Sequence, residues 1–122
     1  MPITPTYTPS PDSGDVAIFT WALVTATPDG LPAEFTQWAD MSFQAVGATW
    51  GTATLTIEGS NDGTHFVALS NAAGGLAATA TADKLMTIVE RPRYVRPNLT
   101  TPGTAAVITV TACLRRPQQL RV

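Results

Sequence analysis

From Val107 to Leu114 the side chains alternate without a break: Ile108, Val110, Ala112 and Leu114 fall on one face, and Val107, Thr109, Thr111 and Cys113 on the other. A repeat of two residues is the signature of a strand that buries one face and shows the other. The stretch Thr52 to Glu58 repeats it, with Ala53, Leu55 and Ile57 opposed to Thr52, Thr54, Thr56 and Glu58. A half-buried strand needs a second layer to cover its apolar side, so these segments call for two facing sheets. Leu55, Ile57, Val67, Ile108 and Val110 are the expected core.

Further strands are read at Asp15–Ala26, which ends at the turn Pro28-Asp29-Gly30, at Glu34–Gln37, at Met41–Val46 with a stop at Gly47, and at His65–Leu69. Leu85–Glu90 and Arg93–Leu99 follow, joined around Pro92, which must sit at a bend or an edge. Gly59-Ser60-Asn61-Asp62-Gly63-Thr64 carries the strongest hairpin signal, because Asn and Asp tolerate the left-handed region and Gly enters it without steric cost. Asn71 to Asp83, dominated by Ala, Gly and Thr, reads as a loop over the sandwich. The expectation is one all-β domain, an antiparallel β-sandwich of jelly-roll type with about eight strands, because 122 residues hold one core.

Residues 1–14 form a Pro-rich N-terminal arm, 15–115 the sandwich and 116–122 a C-terminal tail. Four prolines keep the arm extended and out of any central strand. It is either a disordered tail or an arm lying on a neighbour, for which Ile3 and Tyr7 would be the anchors.

Charged residues make up only 13% of the chain against 44% hydrophobic, so either hydroxyl-rich strands replace charge on the surface or a partner covers part of it. The charges are also divided along the sequence. Residues 1–83 hold eight of the nine acids and no Lys or Arg, a net of −8; residues 84–122 hold all seven basic residues and Glu90, a net of +6. Internal pairing of strands distant in sequence accounts for this, and so does a two-signed subunit that meets copies of itself or another protein.

Chemistry finds little to work with. His65 is the single histidine, and it shares one tight hairpin with Ser60 and Asp62, whereas a catalytic triad needs a nucleophile facing a base that a third buried group orients. Calcium wants six to eight oxygens, and Glu58 and Asp62 are the only carboxylates near the turn. Cys113 is alone, so neither an intrachain disulfide nor a Cys/His zinc framework is available, and no phosphate-binding glycine loop is present. No enzyme activity, cofactor or metal is expected. Met1-Pro2-Ile3-Thr4 lacks a basic region followed by an apolar run, and no segment has the length of a membrane span, so a soluble product of a cytoplasm is expected. Arg91-Pro-Arg-Tyr-Val-Arg-Pro97 interleaves base and aromatic as nucleic-acid binders do, but the overall acidity argues instead for pairing with acids such as Glu58 or Glu90, or for a contact between subunits. Of Trp21, Trp38 and Trp50, at least two belong in the core.

The segments Trp50 to Leu69 and Arg91 to Pro97, with the final strand Val107 to Leu114, resemble small decoration or cement proteins of tailed bacteriophage capsids. The resemblance covers about half of the chain and is one of pattern. It implies a jelly-roll subunit, often trimeric, that sits on the capsid exterior, bridges major capsid proteins and has no active site. Ile3, Tyr7, Arg91, Arg93, Arg96, Arg115 and Arg116 would then contact partners. The same segments also resemble discoidin-type carbohydrate-binding modules; two or more Trp side chains exposed on one face would favour that alternative.

Overall fold

The computed structural model describes residues 2–9, 16–36 and 38–116, and within them every regular element is a strand. In chain order these are β1 (Thr6–Pro9), β2 (Val16–Val24), β3 (Ala33–Glu34), β4 (Asp40–Thr49), β5 (Thr54–Ser60), β6 (Val67–Ala68), β7 (Thr79–Ala80), β8 (Lys84–Thr87), β9 (Tyr94–Thr101) and β10 (Val107–Arg115). The larger sheet runs β1-β2-β10-β4-β8; the smaller runs β3-β9-β5-β6, with β7 sharing the β6 edge of β5. All of these pairings are antiparallel.

The two-residue alternation of β5 and β10 sets the two layers. Ile108, Val110, Ala112 and Leu114 are buried together with Trp21, Leu23 and Phe43 of the neighbouring strands, facing Leu55, Ile57, Val95 and Leu99 of the smaller sheet. Trp21 and Trp38 are core residues, as expected, and the Trp21 indole N–H donates to the Leu31 carbonyl at 3.0 Å.

Three expectations are corrected. Val67 is 66% exposed instead of buried, because the strand returning from the hairpin shrinks to two residues that pair only with Glu58 and Gly59 at the sheet edge. Gly47 does not end β4, which continues to Thr49 across an irregularity in its register with Val107 and Ile108. Part of the Asn71–Asp83 segment is ordered into β7, and Asn71 is buried, with its side chain accepting from the Ala73 N–H at 3.1 Å. The hairpin turn is as read: Gly63 takes φ +78°.

Residues 2–9 lie on their own domain. The Ile3 N–H donates to the Asp29 carbonyl at 2.8 Å and its carbonyl accepts from Leu31 N–H at 2.7 Å, while β1 zips onto β2 from Thr6↔Thr20 to Pro9↔Ala17. Prolines confine β1 to the edge of the sheet. The remainder of the expected arm, residues 1 and 10–14, residues 117–122 of the tail, and the expected strand residues Asp15 and Gln37 lie outside the described residues.

Candidate functional site

The register of the larger sheet assembles its outward face row by row. Thr8, Ile18, Cys113, Ser42 and Thr87 make one row; Thr6, Thr20, Thr111, Gln44 and Leu85 the next; Ala22, Thr109 and Val46 the third. Val24 and Val107 close one end. None of these side chains carries a charge, and Val46, Leu85 and Val107 are exposed at 44%, 68% and 47%. Charge enters at the other end, where Arg115 of β10 stands opposite Asp40 of β4, and at the β8 edge, where Asp83 accepts from the Gly47 N–H at 2.9 Å and the Trp50 indole N–H at 2.8 Å. Lys84, at the β8 edge, turns away to donate to the Thr79 carbonyl at 3.3 Å. The result is a broad neutral face of threonines and aliphatics on a rigid sheet.

The outward face of the smaller sheet is built on the opposite plan. Glu58 on β5 accepts from the Arg96 guanidinium at 3.0 Å and from the Asn98 amide at 3.2 Å, and the Thr56 and Thr100 hydroxyls lie 3.0 Å apart. The Arg96 guanidinium also lies 4.1 Å from the centre of the Phe66 ring. Arg96, expected as a partner contact, is therefore held inside its own domain by charge and by an aromatic face.

Three of the other expected contact residues come together. β10 ends and β9 begins at the same end of the sandwich, so Arg91 and Arg93 line a depression with Trp38 and Arg116 lies over its ring, while Arg115 stands on the outward face of the larger sheet. Arg91 pairs with Asp40 at 3.5 Å and Arg93 with Glu34 at 3.3 Å, while Arg116 lies 5.3 Å from the Trp38 ring centre. Two open depressions flank Arg91 and Pro92: one of about 350 Å³ beside His65 and Glu90, and one of about 480 Å³ beside Trp38 and Arg93. Ile3 and Tyr7 do not join this cluster. Ile3 packs at the opposite end against Gly30, and Tyr7 leans on Phe19 at 4.9 Å along the β1 edge.

The three ion pairs Arg91–Asp40, Arg93–Glu34 and Arg96–Glu58 each join a base of the last third of the chain to an acid of the first part. Folding thus pairs part of the charge that the sequence segregates, by placing β9 and the segment leading into it beside β3 and β5 and by bringing Arg91 to the start of β4.

The hairpin cluster has its own logic. Asp62 Oδ1 accepts from the Ser60 hydroxyl at 2.8 Å and from the Thr64 and His65 backbone N–H groups at 2.8 and 2.9 Å, and its Oδ2 lies 2.8 Å from His65 Nδ1. The backbone donors first, then the ring and the hydroxyl, hold the Asp62 carboxyl well below the usual carboxylate range. Ser60 thus faces the carboxylate and not the imidazole, so the three side chains do not line up as a hydroxyl, a histidine base and a carboxylate that orients it. Asp83 is also depressed, by the Gly47 N–H and the Trp50 indole N–H, and Glu90 by the Ser70 N–H and hydroxyl. With Trp21 and Trp38 in the core and Trp50 bonded to Asp83 at 2.8 Å, the tryptophans form no exposed platform for a sugar ring.

No family model and no curated protein matches the chain. Among solved structures it is similar to the SPBc2 prophage-derived protein YomS, with a TM-score of 0.58 at 10% identity over 80% of this chain and 93% of that one. The likeness is one of fold.

The neutral face escaped residue-by-residue reading. Its trace in the sequence is the lack of charge at the outward positions of three long strands, visible as Thr, Ala, Ser, Gln and Val where Lys and Glu are usual.

Proposed function

We propose that this chain is a structural protein of a phage particle, a capsid decoration subunit that binds the outside of the shell, stabilises it by bridging capsid subunits and catalyses no reaction. The observation that carries the proposal is the outward face of the larger sheet, a wide surface whose only charged row is Arg115 and Asp40 and on which no chemistry is assembled. Such a face suits association with protein, another copy of this chain included. The arginine-rich end supplies a second surface, where Arg115 and Arg116 are exposed and in no ion pair among the described residues and favour an acidic partner. The fold shared with a prophage-derived protein and the sequence resemblance to cement proteins support the same reading. A protein that binds only the assembled shell stabilises it by mass action, and many weak contacts add through effective concentration.

The test is on particles. Those assembled without this protein should release DNA at a lower temperature than complete ones, and adding the purified protein back should restore the difference. Particles that carry no copy of it, or whose heat release is the same with and without it, contradict the proposal.

A further inference from the structure

We infer that the neutral face is covered by a second copy of this chain, in a two-fold dimer whose axis runs parallel to the strands between β10 and β4. The inference rests on the decoration reading only for what the dimer is used for.

Three features converge on this arrangement. The first is charge. Arg115 and Asp40 stand in register on adjacent strands at one end of the face, where Asp40 also meets Arg91 of its own chain at 3.5 Å, and beyond that row the outward positions of the strands are uncharged, with Asp83 at the β8 edge tied to the Gly47 N–H. A two-fold axis between these strands lays β10 of one copy over β4 of the other without moving either along its length. Each Arg115 then comes over Asp40 of the other copy, and the rest of the contact meets no like charge. The second is area. At about 3.4 Å per residue and about 4.8 Å between strands, the face spans about 600 Å² in projection. Two copies cover about 1,200 Å², the lower bound for a specific interface. The third is relief. Thr, Ala, Val and Ser at the central positions make a flat surface of the kind on which two sheets pack about 10 Å apart.

The symmetry has a functional consequence. Because the axis is parallel to the strands, the arginine-rich ends of both copies point the same way. The dimer offers two equivalent basic sites to one surface, which is what bridging two capsid subunits requires.

Sedimentation of the full chain across a wide concentration range tests the dimer. The mass should rise from one chain to two. Thr109→Arg, an exposed substitution at the centre of the face, should weaken the dimer by about 100-fold through like charges meeting across the axis. Thr100→Arg, exposed on the smaller sheet, should leave it unchanged. Asp40→Arg should weaken association by placing two cations together, and mixing that protein with Arg115→Asp protein should restore it as a heterodimer, a rescue that pairing within one chain does not give. A single-chain mass at every concentration, a trimer, or a dimer indifferent to Thr109→Arg overturns the inference. A monomer that is nevertheless found on particles overturns it while the decoration reading stands; a dimer absent from particles supports it and overturns that reading.

Discussion

The two outward faces of this sandwich solve the same problem in opposite ways. Both belong to antiparallel sheets over one core, and both are rich in Thr. The smaller sheet satisfies itself: Glu58 takes donors from Arg96 and Asn98, and Thr56 and Thr100 lie within hydrogen-bond distance of each other. The larger sheet leaves its outward side chains uncharged, with Val46 and Leu85 exposed and Arg115 in no ion pair among the described residues. A face with internal partners contributes to the stability of the monomer, whereas a face without them contributes when something covers it. On the proposed reading, the difference separates a folding surface from a binding surface.

The sharpest break in this comparison is Glu58→Ala. It leaves the Arg96 guanidinium and the Asn98 amide without their acceptor in a setting where the Glu58 and Arg96 side chains are only 13% and 27% exposed. The expected loss is about 1–3 kcal/mol in denaturant unfolding, with self-association per folded chain unchanged.

Acid should act next, and on the turns rather than on either face. Asp62, Asp83 and Glu90 have depressed carboxyls in the folded chain, so their contribution is present at neutral pH and is lost as pH falls below the ordinary carboxylate range of about 4. Thermal unfolding followed from pH 7 to pH 2 should show melting falling steeply in that window, and Asp62→Asn should flatten part of the slope. All three groups are solvent-accessible, so high salt should blunt the effect.

Arg91→Ala should do much less than Glu58→Ala, about 0–1 kcal/mol, because its pair with Asp40 is exposed on both sides at 3.5 Å. A cost equal to that of Glu58→Ala would remove the distinction between self-paired and open surfaces. Smallest of all is Thr109→Arg measured on dilute, monomeric protein. The side chain points to solvent, so unfolding should move by no more than about 0.5 kcal/mol.

Much of this was legible from residues alone. Strands β5 and β10 follow directly from their two-residue repeat, and Leu55, Ile57, Ile108 and Val110 are core as that repeat requires. Val67 misled because hydrophobicity does not distinguish a strand in mid-sheet from a two-residue edge strand. The charge partition was visible but its resolution was not. That Arg96 meets Glu58 depends on β9 pairing with β5, a contact between residues 38 apart in sequence. The arginine cluster shows the same limit: Arg91 and Arg116 were singled out individually, and only the meeting of strand ends brings them to Trp38. For the neutral face, parity says that Thr109 points outward, but only the sheet order places Ala22 and Val46 on either side of it.

The central claim, that the neutral face is covered by another copy, has a native reporter. Cys113 lies on that face between Ile18 and Ser42, and it is the single thiol of the chain. The rate at which an excess of a bulky alkylating reagent modifies Cys113 in the native protein should fall as protein concentration rises through the dimerisation range, and Thr109→Arg should abolish the dependence. A rate that stays constant across that range, at concentrations where the mass has doubled, would contradict the account and place the second copy elsewhere on the molecule.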